Sequence, residues 1–346
     1  MCEIFTARLF FSMGGRDSLP PYIVYVNSAY QWENVMIPAL ITHEISAKHD
    51  VPPGHPERPE RYAAILDHIG DDYQSWQRVT APLAKRDQLE MVHSKPYLDM
   101  IIEVVGNADE PAPLDADTWA SKRGHECASR AVGGACLAVD MVMANKANTA
   151  FSLMRPPGHH AEPEKAMGFC LFSSAAIAAR HAQEKWGINR VVVVDFDVHH
   201  GNGTQACFWN DGSLFYASSH QMPLFPGTGA HDEMGAYQNI FNLPLAHGTA
   251  GASVRSGWRD HLLPRVVEAR PELIIISAGF DAHEADPLGG LQMASEDFGI
   301  LTNDIIDAAT HAAEDSGALR LISLLEGGYD LNALGESVCQ HMDALE

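Results

Sequence analysis

The sequence predicts one α/β domain built on a central, mostly parallel sheet with helices on both faces. Three observations carry this reading. Short, solidly apolar runs alternate with longer amphipathic stretches, the order that βαβ units impose. The 346 residues are 46% hydrophobic and 20% charged, an ordinary globular mixture that excludes general disorder, collagen and coiled coil. No Ser/Gly linker, charge block or repeat divides residues 37–346, so a length that admits one or two domains is read as one.

In chain order, the run ALIT (39–42) is the first strand and 58–69 the first helix. A helix over 122–145 precedes the strand AFSLM (150–154), and a helix over 171–186 precedes VVVV (191–194). The strand LFYAS (214–218) follows, then a helix over 254–269, the strand LIIIS (273–277) and a helix over 295–314. The strand LISLL (321–325) and a helix over 331–345 complete the set. The runs are almost unbroken apolar residues, as strands covered on both faces must be. Residues 1–35 do not fit the pattern: Gly14-Gly15 and Pro20-Pro21 surround short apolar pieces, which suits an appended or upstream-initiated arm. The domain proper is expected over 36–346.

Charge and cysteine usage bound the function. Asp and Glu number 45 against 23 Lys and Arg, a formal net charge of −22, which repels phosphate backbones and anionic lipid and attracts cationic ligands. Nucleic-acid and membrane partners are therefore not expected. The six cysteines are scattered and form no CxxC pair, against a zinc finger, a redox dithiol or a disulfide framework. Glu3 and Arg8 interrupt the first apolar residues, which makes a poor signal peptide, and a cytoplasmic setting is expected.

Four strands run directly into chemistry-bearing residues. AFSLM leads to Arg155-Pro156-Pro157-Gly158-His159-His160, and VVVV leads to Asp195, Asp197, His199, His200 and Asn202. LIIIS leads to Gly279-Phe280-Asp281, and LISLL to Glu326-Gly327-Gly328-Tyr329. Ligands of open α/β sheets bind outside the carboxyl ends of the strands, so these clusters define one site. Asp197 and His199, two residues apart, leave the same side of an extended run. Joined by Asp281 they make an Asp/His/Asp set with open coordination positions, as a catalytic zinc site needs; iron(II) or cobalt also suits such ligands. The tandem His159-His160 supplies a general base and an electrostatic partner, with Asp195 and Asn202 as candidates to orient them. Tyr329 on its glycine turn is placed to donate to an oxyanion. Alone, an HH pair, a DxH or a Gly-Gly-Tyr turn is commonplace; together, at strand ends, they point to metal-assisted amide hydrolysis.

The motifs HPERPER (55–61), RPPGHHA (155–161), MGFCLF (167–172), VVVVDFDVHHGNGTQ (191–205), FPGTG (225–229), SAGFDAHEADPLGG (277–290) and EGGYDL (326–331) resemble the zinc-dependent histone deacetylase and acetylpolyamine amidohydrolase superfamily, in its bacterial, class II-like branch. The resemblance implies the arginase/deacetylase fold, zinc at Asp197, His199 and Asp281, catalysis by His159, His160 and Tyr329, and Asp195 and Asn202 behind the histidines. It implies a substrate tunnel at Gly168, Phe169, Phe225 and Leu288, a structural potassium near Asp195, Asp197, His199, Ser218 and Ser219, and a product channel at Arg61. An asparagine at 202 in place of the family's alternative aspartate implies a His160 that is harder to protonate. Leu288 stands where polyamine-selective relatives can carry glutamate; Asp109, Glu110, Asp115 and Asp117 are alternative attractors of a charged amine. The segment HDEMGAYQNIFNLP (231–244) departs from the glycine-rich form usual there.

The implied substrate is an acetylated primary amine, either N-acetyl-lysine or an acetylpolyamine-like molecule. Rival readings are a binuclear ureohydrolase and a non-catalytic acyl-lysine binding module of the same fold. Relatives of this kind imply a homodimer or homotetramer, and an interface element is the alternative reading of 1–35 to an appended segment.

Overall fold

A computed structural model describes residues 36–107, 111–313 and 320–346. The expected arm 1–35, with Asp109 and Glu110, lies outside them. The strands are β1 (Ala39–Thr42), β2 (Gln77–Thr80), β3 (Ala112–Pro113), β4 (Trp119–Ala120), β5 (Thr149–Ser152), β6 (Val191–Asp195), β7 (Leu214–Gln221), β8 (Ile240–Leu245), β9 (Leu273–Ala278) and β10 (Leu321–Leu325). The helices are α1 (Glu60–Ile69), α2 (Arg86–Leu89), α3 (Lys95–Asn107), α4 (Lys122–Met143), α5 (Ser174–Trp186), α6 (Asn202–Phe208), α7 (Gly251–Gly257), α8 (Leu263–Ala269), α9 (Ser295–Ala313) and α10 (Leu331–Leu345).

Eight strands form one sheet in the order β2-β1-β5-β10-β9-β6-β7-β8, every pair parallel; β3 and β4 make a separate antiparallel ribbon. The last two strands are laid into the middle, between β5 and β6. This is what builds the site, because β5, β10, β9 and β6 become neighbours whose carboxyl ends open on one edge.

Alternation along each strand divides the core. Val192 and Val194 pack with α1, α8, α9 and α10 residues such as Ile65, Val266, Leu301 and Val338, while Val191 and Val193 face α4 and α5 residues such as Ala135, Val139 and Ala179. Both faces are covered, which explains the uninterrupted apolar runs.

The structure adds elements the apolar pattern does not reveal. Strand β2 (QRVT) alternates half-buried and exposed residues, and β8 carries Asn242 and Pro244; both are sheet edges, where proline and polar residues are tolerated. Strand β8 also resolves the segment 231–244: its end is a regular edge strand. The helix expected over 254–269 is α7 and α8 separated by a π-helical turn, Trp258–Leu262. Pro264 has no N–H to give the ladder, and Leu263 bonds back to the Trp258 carbonyl instead. Among the described residues no helix is long and apolar enough to cross a membrane.

Several histidines are structural. His341 is fully buried beneath Phe151 and Phe280, between the hydroxyls of Thr302 (2.7 Å) and Ser323 (2.8 Å), and burial pushes its pKa down to about 3. Burial likewise lowers His93 to about 4. Such groups bind fewer protons folded than unfolded, so their stabilisation is present above about pH 6.5 and is lost as pH falls toward the folded values. Between about pH 7.5 and about pH 5 each should cost about 2 kcal/mol. Urea unfolding at these two pH values should therefore show a stability difference smaller by about that amount in His341→Gln than in the wild type.

Candidate active site

Each of the four central strands delivers a piece of the site. Strand β6 ends at Asp195 and turns through Asp197, Val198 and His199 into α6. The Asp197 Oδ1 accepts from the His199 N–H (2.9 Å) and Oδ2 from the Gly327 N–H (2.9 Å), which ties the β6 loop to the β10 loop. Asp281 Oδ1 accepts from the Val198 N–H (2.8 Å), tying in β9. The His199 Nδ1 then stands 3.2 Å from Asp197 Oδ1 and 3.0 Å from Asp281 Oδ2.

One donor atom from each of Asp197, His199 and Asp281 lies within 4.8 Å of the others, and all three residues are buried. Burial and the neighbouring Asp197 push Asp281 up to about 7. Burial opposes protonation of His199, yet the hydrogen bonds and charges of Asp197 and Asp281 raise it to about 10. Two buried carboxylates meeting at one imidazole demand positive charge. The oxygen and nitrogen donors suit a single ion of the zinc, iron(II) or cobalt kind.

The tandem histidines come from the loop after β5. Their rings lie 4.0 Å apart but have unlike partners. His159 Nδ1 is 3.0 Å from Asp195 Oδ2, a carboxylate that also accepts from the Tyr216 hydroxyl (2.9 Å). His160 Nδ1 is 2.8 Å from Asn202 Oδ1. Burial would lower His159, but Asp197 and Asp195 outweigh it and hold its pKa well above the ordinary range. Burial, then His159 and His199, push His160 well below that range. The two imidazoles are thus pushed in opposite directions, His159 toward the cation and His160 toward the neutral form.

Tyr329 is 7% exposed, and burial raises its phenol well above the ordinary value, so it remains an O–H donor. Phe169 meets its ring edge-on at 5.8 Å, and Phe225, 39% exposed, meets His160 at 5.1 Å and His199 at 6.4 Å. Phe169 is held at φ 68 by a bond from its N–H to the Thr118 hydroxyl (3.0 Å). A Cβ at the preceding Gly168 would collide with the His160 ring. Leu288 is half-buried, and Asp286 joins its N–H (2.9 Å) to the N–H of Tyr329 (2.7 Å). Asp115 and Asp117 sit half-buried on the β3–β4 turn beside Phe169, and the Asp117 carbonyl faces the His55 ring (3.0 Å). The β6–β7 register sets Asp195 beside Ser218; the Ser219 hydroxyl accepts from the Trp258 indole (2.8 Å).

With the site in place, the comparisons are decisive. The histone deacetylase domain matches residues 55–345. The chain belongs to the histone deacetylase family. It is 36% identical over 288 residues to a histone deacetylase-like amidohydrolase of Pseudomonas aeruginosa, covering 80% of this chain and 73% of that one. It is also 36% identical over 328 residues to the polyamine deacetylase HDAC10 of Homo sapiens, covering 89% of this chain and 48% of the human protein. The solved HDA15 HD domain superposes with a TM-score of 0.83 at 31% identity, covering 90% of this chain and 88% of that domain. This is the arginase/deacetylase fold in a single domain.

His200 was grouped with the site histidines, but its ring bonds Thr228 (2.7 Å) and Gln205 (3.0 Å), bracing the loop that bears Phe225. Adjacent residues on this turn point in different directions, which an HH pair does not reveal. Arg61 is fully buried behind Tyr329, 4.9 Å from its ring centre, and donates to the Gly328 and Glu326 carbonyls and to the Glu57 carboxylate. Sequence reasoning named Glu326 in its cluster without giving it a role; its Oε2 accepts from the N–H groups of Gly158 (2.7 Å) and His159 (3.1 Å). Its position inside EGGYDL was the available signal. At Gly327 a Cβ would collide with the carboxylates of Asp281 and Asp197. Gly327→Ala should destabilise the fold by about 1–3 kcal/mol and weaken Zn²⁺ binding at least about 10-fold, read by thermal unfolding and calorimetric titration; unchanged zinc affinity would contradict the geometry.

Proposed function

We propose that the chain is a zinc-dependent amidohydrolase that removes an acetyl group from a primary amine, acting in the cytoplasm on N-acetyl-lysine or an acetylpolyamine-like small molecule. The observation that carries this reading is a pair of imidazoles with unlike partners, Asp195 and Asn202, beside the Asp/His/Asp set. Zinc held by Asp197, His199 and Asp281 would act as a Lewis acid toward the acyl oxygen and toward the attacking water. The same proposal includes a structural potassium held through carbonyls and a hydroxyl of Asp195, Asp197, His199, Ser218 and Ser219.

The chain's own residues divide the proton work. His160 is neutral with its proton on Nδ1 against Asn202 Oδ1, so Nε2 is free to take the water proton and later give it to the leaving amine. His159 stays a fixed positive charge beside the reacting centre, held by Asp195. Tyr329 donates its phenolic O–H to the developing oxyanion. Phe169 and Phe225 support a narrow, apolar slot that suits a linear alkyl arm.

Leu288, where polyamine-selective relatives can carry glutamate, favours an acetyl-lysine-like or broad substrate, and the net charge of −22 suits any cationic amine. A single cluster with metal-ligand spacing among the described residues supports one ion rather than the two of a ureohydrolase. The direct test is a substrate panel of acetyl-lysine peptides, acetylputrescine, acetylcadaverine and acetylspermidine on zinc-loaded protein. Acetyl-lysine peptides should be hydrolysed, with the acetylated polyamines within about two orders of magnitude in kcat/KM. No hydrolysis of any member with zinc, iron(II) or cobalt would sink the proposal in favour of a binding module. Tyr329→Phe should lower kcat about 10²–10³-fold at unchanged zinc content.

A further inference from the structure

Behind the site lies a buried knot of charge that the mechanism above does not use. Its centre is Glu57, whose side chain has no exposure. Glu57 Oε1 accepts from Arg61 Nη1 (3.0 Å) and Arg155 Nε (2.5 Å), and Oε2 accepts from Arg155 Nη2 (2.8 Å). His49 Nε2 lies 3.7 Å from the same carboxylate, and burial lowers that imidazole to about 4, leaving it neutral. One carboxylate thus stands between two permanently charged guanidiniums.

Each arginine serves a different half of the site. Arg61 donates from Nε to the Gly328 carbonyl (2.6 Å) and from Nη2 to the Glu326 carbonyl (2.6 Å), the two carbonyls that flank Gly327 and lead into Tyr329. Arg155 opens the loop that carries His159 and His160, and it donates further to the Ser46 and Glu57 carbonyls. Arg61 and Arg155 therefore reach the two loops, and Glu57 is the group they share. Without its charge the two guanidiniums would face each other in a low-dielectric interior, where like charges are strongly unfavourable.

We propose that Glu57 is a positioning residue: it locks the Tyr329 loop to the tandem-histidine loop through Arg61 and Arg155, and so sets the distance between the oxyanion donor and the base. The inference rests on the reading of Tyr329 as that donor. Near-attack geometry is sensitive enough that a shift of about 1 Å costs on the order of 10²-fold in rate.

A kinetic double-mutant cycle on the full, zinc-loaded chain tests it, with Glu57→Gln, Tyr329→Phe and the double variant on an acetyl-lysine peptide. Glu57→Gln should lower kcat about 10–100-fold with KM within about two-fold and zinc content unchanged. In the Tyr329→Phe background the same change should cost less than about three-fold, because the group it positions is gone. Losses that multiply, or a change confined to KM or thermal stability, overturn the positioning role. A Tyr329→Phe variant with full turnover would instead sink the oxyanion reading itself. If Glu57→Gln does not fold, Arg61→Lys enters the same cycle with the same expectations, since it keeps the charge but loses the fork that holds two carbonyls.

Discussion

The structure is organised around carboxylates that have no water. Asp195, Asp197 and Asp281 are fully buried and Glu326 is 1% exposed, all at the carboxyl edge of the central strands. An isolated buried carboxylate is very costly, so each must be answered by donors or opposite charge. The loops provide them: N–H groups of Val198, His199 and Gly327 reach Asp281 and Asp197, and those of Gly158 and His159 reach Glu326. Each of these bonds to Asp281, Glu326 or from Gly327 also joins loops of different strands. Satisfying the acids and assembling the site are one requirement.

That requirement explains why the sheet is threaded as it is. The acids and their donors sit on loops after β5, β6, β9 and β10, which the insertion of the last two strands between β5 and β6 brings side by side. The price is long-range dependence, since Arg61, held by Glu57 near the start of the domain, donates to the carbonyls at 326 and 328 near its end. Both ends of the domain belong to the same network, so its core does not divide into a metal half and a histidine half.

The legible parts of the sequence were those whose physics is local. All six apolar runs, including VVVV and LIIIS, are strands of the sheet, because burial on both faces leaves an unbroken signature. The spacing Asp197, His199 and the distant Asp281 was legible because strand ends converge, and the three donors do meet. What could not be read was set by partners far along the chain. The edge strands β2 and β8 mix polar and apolar residues because only one neighbour and part of each face cover them. His200 and Glu57 look like members of a motif and a charged run; their directions are fixed by Thr228 and Gln205 in one case, by two arginines in the other.

The division of labour between the two imidazoles depends on an atom outside the pair. An asparagine can present either its oxygen or its nitrogen to a neighbour, and only the oxygen accepts the Nδ1 proton that leaves Nε2 of His160 basic. Here the choice is made by the other end of the amide. Asn202 Nδ2 has the Glu162 carboxylate at 2.8 Å, with the His160 carbonyl and Met167 Sδ both at 3.4 Å. All three are acceptors, so the amide cannot turn over without facing lone pairs with lone pairs. Glu162, half-buried at the edge of the site, thereby fixes the tautomer of His160 through an intervening neutral group. A carboxylate placed directly behind His160, as Asp195 is behind His159, would fix the tautomer equally well but would also favour the imidazolium. Holding the charge one residue away specifies where the proton sits while leaving the base free.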